Sequence, residues 1–288
     1  MKKLLLLSFV FGLSFTGLAQ DKKFQVGLTL GPTFNWTKTQ TTKIERNGIG
    51  TGFTIGLGGN YMFNNNIGLA SGVQFDLESF KINYGRDGSA NLGDVFYAFQ
   101  DTDIKKFDED DQKIDGVADT DTAFNAFNLQ TRKFRAKYIT IPLFLKFQTN
   151  LIGKMKYYGK FGLRTSFLAG VRMDDEGYES QYNAVTNAFT RTGTSIVTKP
   201  DMKPDAVKKG LSAVRTGIGI YGGAEWNFTG NTFLYGELGF NYGITPVLYQ
   251  KSSHLVDRVD DGSSISLSQL DVQNNPQHII ELKIGLLF

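Results

Sequence analysis

The stretch HIIELKIGLLF, residues 278–288, decides the fold. From Ile280 every second residue is large and apolar, through Leu282, Ile284 and Leu286 to Phe288, while Glu281, Lys283 and Gly285 stand between them. A period of two belongs to a strand with one apolar face and one polar face. The sequence stops on an aromatic with nothing polar to cover an edge, which in water invites aggregation. In a closed barrel within a bilayer, the apolar face meets lipid and the edge pairs with the first strand.

Working outward, seven more segments alternate in the same way. The first is Phe24 to Trp36, with Phe24, Val26, Leu28, Leu30, Phe34 and Trp36 on one face. The second, Gly50 to Phe63, places Phe53, Ile55, Leu57, Tyr61 and Phe63 outward; the third runs from Ile67 to about Tyr84. Tyr138 to Gln148 and Met155 to Val171 form the fourth and fifth. Ala213 to Phe228 and Thr232 to Ile244 form the sixth and seventh, and 278–288 is the eighth. Each has the roughly 9–11 residues that cross a bilayer at a tilt.

The connections sort by length. Asn64 to Asn66, Thr149 to Lys154 and Thr229 to Asn231 are short, whereas 37–49, 85–137, 172–212 and 245–277 are long, and the two kinds alternate. Bacterial barrels have short periplasmic turns and long outer loops. The expected fold is therefore an all-β, eight-stranded antiparallel transmembrane up-and-down barrel with both ends in the periplasm. Aromatics gather at the strand ends. Phe24, Tyr61, Phe63, Phe147, Tyr157, Trp226, Phe228 and Phe288 mark the periplasmic rim, and Phe34, Trp36, Tyr138, Phe240 and Tyr242 the outer rim. Such belts form where rings sit at headgroup level.

Bulk properties agree. Of 288 residues 41% are hydrophobic, and mean hydropathy is only -0.21. Barrels hide in this composition because only alternate residues face lipid. The 33 glycines and 24 phenylalanines suit a narrow interior and aromatic belts. A net charge of +3 gives no footprint for nucleic acid. Lys2 and Lys3, the apolar run Leu4 to Phe15, and the small residues Gly17 and Ala19 read as a secretory signal over 1–19, leaving one domain over 20–288. With no cysteine, disulfides and thiolate metal sites are excluded.

The inward faces carry charges of both signs: Asp76, Glu78, Lys146, Lys156, Lys160, Arg164, Arg215, Glu225, Glu237, Glu281 and Lys283. An interior of about eight strands is just filled by side chains. A lone buried charge costs several kcal/mol, so these must pair. The expectation is a salt-bridge plug, with Glu237 and Glu281 reaching the basic side chains; an ion path or proton relay is the alternative.

The second long connection holds DDQKIDGVADTD, with Asp111, Asp115, Asp119 and Asp121 as candidate calcium ligands. Oxygen ligands at short intervals and a glycine at a turn suit calcium. However, Gln112 and Lys113 interrupt the spacing and no glutamate closes it, so the alternative is an acidic loop held by Lys105, Lys106, Arg132, Lys133 and Arg135. No other cofactor is expected. His254 and His278 read as surface residues, no serine lies in G-x-S-x-G, and no enzymatic activity is expected. Pro142 cannot donate to a ladder, so a bulge is expected near it.

The segments YITIPLFLKF (138–147), YYGKFGLRTSFL (157–168) and FQVGLTLGPTF (24–34), with Ile141-Pro142-Leu143 ahead of Lys146, resemble the PorT-like outer-membrane β-barrel family of Bacteroidota. The resemblance implies an outer-membrane barrel of roughly eight strands; its founding member is associated with type IX secretion. The expected function is an integral outer-membrane protein with a structural or interaction role through its outer loops. Expected partners are the outer-membrane bilayer, the barrel-assembly machinery and an extracellular or secretion-system protein. The alternatives are a small channel, a carrier for hydrophobic molecules, an accessory to protein secretion, or a soluble lipocalin-like barrel with apolar residues inside.

Overall fold

The computed structural model describes residues 23–85, 94–204, 210–260 and 265–288, and the stretch read as a secretory signal lies outside them. Every regular element there is a strand. In chain order they are β1 (Phe24–Thr37), β2 (Glu45–Arg46), β3 (Gly50–Met62), β4 (Ile67–Asn83), β5 (Asp94–Gln100) and β6 (Asp103–Ile104). Then come β7 (Phe107–Asp108), β8 (Lys113–Ile114), β9 (Phe124–Gln148), β10 (Met155–Asn183), β11 (Ala188–Arg191) and β12 (Val197–Pro204). The last are β13 (Val214–Thr229), β14 (Thr232–Gly243), β15 (Lys251–Asp260), β16 (Ile265–Asp271) and β17 (Gln277–Leu287).

Antiparallel pairings lead from β1 to β3, β4, β9 and β10. They continue through β13, β14 and β17, and from β17 back to β1. The two faces of these strands differ sharply. On each strand one outward apolar side chain, from Leu28, Ile55, Val73 and Leu143 to Phe161, Ile220, Leu238 and Ile284, is 49% to 60% exposed. The inward faces bury threonines, asparagines and charged residues. The short connections are tight turns. Asn64 Oδ1 accepts the Asn66 and Ile67 amides at 2.9 and 2.8 Å, and Gly153 and Gly230 take the positive φ their turns require.

The long connections are not loops, which corrects the sequence reading. β9 begins at Phe124 rather than Tyr138, and β10 runs to Asn183 rather than Val171. Around them β12, β6, β5, β15 and β16 extend the sheet. The cause is a reversal of polarity along β9. From Ile139 to Phe147 the odd, outward residues are apolar and the even, inward ones include Thr140 and Lys146. From Lys137 back to Lys133 the outward residues are charged, and Phe134 and Ala136 are buried inside. Their neighbours there are Phe80, Ile82, Phe127, Leu129 and Met173, which form an apolar core shared with the added strands. A search for outward apolar residues loses the strand where the pattern inverts.

A bulge contributes to the same error, and it is not at Pro142. Pairing of β9 with β10 is regular from Thr140↔Ser166 to Phe144↔Gly162. The register shifts instead between Leu168 and Gly170, so Ala169 is the extra residue, opposite Tyr138 and Lys137. One extra residue moves every later side chain of β10 to the other face. Pro142 acts on its other neighbour: β4 and β9 keep one register from Ser71↔Leu143 to Gln74↔Thr140 but have no partners at Gly72 and Val73. The Ser71 hydroxyl donates to the Pro142 carbonyl at 2.8 Å across this gap. In an antiparallel pair a residue's N–H and C=O point to the same neighbour, so a proline disturbs only one of its two ladders. Tyr138, expected at the outer aromatic rim, is fully buried on the inner face.

Phe134 stacks on Phe80 at 4.9 Å between ring centres within the apolar core. Phe134→Ala should lower stability by about 3–5 kcal/mol in denaturant titrations; a loss below about 1 kcal/mol would show that this core does not hold the extension together.

Candidate functional site

The inner face of the eight-strand circuit concentrates the charged residues. β9 and β13 bring Lys146 to Glu225, an ion pair with both side chains buried. One layer on, β10 and β14 bring Lys160 Nζ within 2.5 Å of Glu237 Oε2. The central layer joins four strands. Arg164 on β10 reaches Asp76 on β4 at 2.5 Å and Glu281 on β17 at 3.1 Å, and Lys283 lies 2.7 Å from Glu281. Ser166 and Thr140 extend it: Arg164 donates to the Ser166 hydroxyl at 3.1 Å, and Thr140 to Asp76 at 2.5 Å. Farthest from the turns, Arg215 grips Glu78 with both guanidinium nitrogens, at 2.9 and 2.5 Å, and also bonds Gln277. Among the described residues every member of the expected set except Lys156 has an ionic partner; Lys156 lies 5.0 Å over the Phe233 ring.

These pairs exist because partners sit on strands that the circuit brings face to face. β10 and β4 are separated by β9, so Arg164 and Asp76 meet across the interior rather than along one ladder. Removing a single partner would strand the other charge in a buried setting.

Tyrosines packed over glycines also line the interior, beside buried threonines, Gln74 and Phe144, and the sequence reading did not assign them. Tyr221 on β13 is directly opposite Gly239 on β14, which is directly opposite Glu281 on β17. The ring lies across the glycine, where a Cβ would overlap it, and its hydroxyl donates to Glu281 at 2.6 Å. Asn241 donates to the same hydroxyl oxygen at 2.6 Å. The arrangement recurs with Tyr158 over Gly223 toward Glu237, and with Tyr235 over Gly285 toward Thr29. A tyrosine on an inward position with a glycine directly opposite is the available signal, and it requires the register. Cations also lie against these rings: Lys146 and Lys160 over Tyr158 at 4.8 and 4.9 Å, and Arg215 over Tyr138 at 4.0 Å.

An interior cavity of about 50 Å³, walled by Gly58, Gly72, Gln74, Lys160 and Glu237, has room for a few waters. Beyond Arg215 the apolar core containing Tyr138, Phe134 and Phe80 follows. In the extension Arg132 holds Asp175 through two bonds of 2.7 Å rather than serving an acidic loop. Burial opposes the Arg132 charge, but Asp175 outweighs it and holds the pKa above its usual value. Burial, with Asp175 close by, pushes the neighbouring Tyr97 hydroxyl well up.

The candidate calcium ligands are not gathered. Asp119 is 2.7 Å from Lys113, Asp121 Oδ1 accepts the Ala123 amide, and β8, paired with β7 just ahead of the segment, lies between Asp111 and Asp115. Among the described residues no group of three or more carboxylates and histidines is placed to hold a metal. The histidines are buried, which corrects the surface assignment. His278 packs against Tyr242 at 4.6 Å and Trp36 at 5.8 Å, and the His254 ring lies 3.1 Å from the Ser253 hydroxyl. The aromatics expected at the turn end are on the outer face. Tyr61 meets Phe63 edge-on, Trp226 meets Phe228 likewise, and Tyr157 and Phe288 are exposed; Phe24 and, at the far end, Trp36 are half-buried.

A family model described as an outer membrane protein beta-barrel domain matches residues 18–249. Similar solved structures include Neisserial surface protein A, at 12% identity over 92% of this chain and 96% of that one, with a TM-score of 0.36. The attachment invasion locus protein Ail of Yersinia pestis is 11% identical over 92% and 99%, with a TM-score of 0.32. OprG of Pseudomonas aeruginosa is 10% identical over 92% and 95%, with a TM-score of 0.35. None of the curated proteins compared with the chain matches it.

Arg164→Met leaves Asp76 and Glu281 buried without their guanidinium. Unfolding titrations should show a loss of about 3–5 kcal/mol; a loss below about 1 kcal/mol would mean the two acids are not held by Arg164.

Proposed function

The chain belongs to the outer membrane protein beta-barrel family, and from that premise we propose that its eight long strands close a transmembrane barrel whose interior is a plug. The observation that carries the reading is the pairing of faces. Outward apolar residues stand half exposed on all eight strands while ion pairs are buried inside. This is the reverse of a soluble β-barrel, where the interior is apolar, and it disfavours the lipocalin-like alternative. On β9 the apolar outward run from Ile139 to Phe147 rises about 20 Å at a tilt near 40°, close to the apolar band of about 25 Å in such barrels. The short turns then face the periplasm and the β-rich extension faces outward.

The role proposed is structural and interactive. The extension packs on an apolar core shared with β4, β9 and β10 and on a second apolar cluster, so it presents a rigid folded surface to an extracellular or secretion-system partner. The paired charges, the tyrosines over glycines and the apolar core beyond Arg215 together block the interior. No catalytic set or calcium site is part of the proposal. The PorT-like assignment and a place beside a secretion apparatus rest on the resemblance of residues 24–34, 138–147 and 157–168. A second reading, a carrier for hydrophobic molecules that enter through the wall, has one observation in its favour. The ladder is open at Gly72 and Val73 beside Pro142, and Gly72 and Pro142 also line the interior cavity.

Two measurements check the proposal. The purified protein should migrate differently on gels before and after boiling and give no discrete conductance steps in planar bilayers; steady single-channel steps would favour the channel alternative. Leu143→Arg should destabilise the protein in vesicles by about 2–4 kcal/mol, as expected for a charge on the lipid face near mid-depth. An unchanged stability would place that face outside the bilayer.

A further inference from the structure

We infer that the flank formed by β4, β9 and β10 binds the phosphate-bearing headgroup of a lipid in the outer leaflet. The inference rests on the membrane reading above. On β9 the outward apolar run ends at Ile139, and the next three outward residues are Lys137, Arg135 and Lys133. Pairing places Lys81 of β4 directly opposite Lys133, and Arg172 of β10 directly opposite Arg135; Asp174 of β10, directly opposite Lys133 on its other side, binds Arg135 instead. Like charges directly opposite one another destabilise a sheet. With Asp174 engaged by Arg135, two such pairs side by side leave a surplus of positive charge for an external counter-charge.

The protein supplies only part of it. Arg135 binds Asp174 at 2.8 Å and Asp201 at 2.6 Å, and Lys81 lies 3.8 Å from Glu176. Lys133, Lys137 and Arg172 have no ionic partner among the described residues. Immediately toward the membrane the surface turns apolar: Leu77 is directly opposite Lys137, and Phe53 directly opposite Leu77. These residues, with Ser79 and Arg135, line an open groove on the outer surface. A groove that is apolar at one end and cationic at the other matches an acyl chain below a phosphate.

The other side of the circuit is built differently. There Trp36, Phe240 and Tyr242 pack around His278 where the strands leave the apolar band. In the order of pairing, β17 is four strands from β9 in either direction. One flank therefore offers aromatic rings at the interface and the opposite flank offers cations. Arginine supplies planar paired donors to phosphate oxygens and lysine a mobile point charge.

The test uses the full chain in phosphatidylcholine nanodiscs doped with bis-phosphorylated lipid A or with its dephosphorylated counterpart, read by native mass spectrometry of retained lipid. Wild type should retain the phosphorylated lipid at least about tenfold better, and the combined variant Lys133→Gln, Lys137→Gln, Arg172→Gln should lose that preference. Removing two exposed cations of the extension, Lys113→Gln with Lys251→Gln, should leave it intact. Equal retention of both lipids by wild type, or an undiminished preference in the triple variant, would overturn the inference. So would full displacement by millimolar inorganic phosphate, which would mark a site for the free ion. Heat-modifiable migration of each variant separates the two readings. A protein that inserts and shows no preference contradicts only the lipid site, whereas one that does not insert contradicts the barrel.

Discussion

Each strand has two faces, and the solvent on the outside decides what the inside must contain. β9 shows this within one element of 25 residues. Where its outward residues are isoleucine, leucine and phenylalanine, the interior holds Lys146, Thr140 and their partners. Where they become Lys137, Arg135 and Lys133, the interior becomes Phe134, Leu129 and Phe127. Hydrocarbon outside allows a polar interior, since the polar groups can satisfy one another there; water outside requires an apolar one. The reversal falls at Lys137 and Tyr138, opposite the Ala169 bulge, where β10 switches the faces of its later side chains.

The charged interior follows from the same constraint. Packing apolar residues inside and outside would remove the difference that orients the strands in a bilayer. Ion pairs fill the space and fix which strands face each other, because Arg164 with Asp76, and Arg215 with Glu78, meet only when the circuit is in register. Glycines opposite Tyr158, Tyr221 and Tyr235 let rings lie flat along the wall, so a narrow interior accommodates both rings and charges. The apolar core follows beyond Arg215.

Much of this was legible in the residues. Alternation over two-residue steps located part of each long strand, its outward apolar face and the charged set, because each depends on side-chain parity alone. The partners within that set depend on register, and Lys156 could not be separated from Lys160 without it. The extension was hidden for a different reason. Phe134 and Ala136 are buried on the opposite parity to the outward run, a second register shift at Gln130 returns the buried Leu129 and Phe127 to the first parity, and Ala169 shifts the faces of β10. Acid-rich spacing around Asp111 to Asp121 suggested calcium, whereas Lys113 pairs with Asp119 and β8 lies between Asp111 and Asp115. Pro142 was read as needing a bulge, whereas its missing donor opens only the ladder toward β4.

The central claim is that the environment outside β9 changes from lipid to water between Ile139 and Lys137. The chain has no cysteine, so single cysteines can be introduced without background and labelled with a nitroxide. Collision with oxygen and with a water-soluble nickel complex should be compared at positions 133, 135, 137, 139, 141, 143, 145 and 147 in vesicles. The account predicts oxygen-dominated collision from 139 through 147 and nickel-dominated collision from 137 through 133. Nickel access at 141, 143 and 145 equal to that at 135 would contradict it.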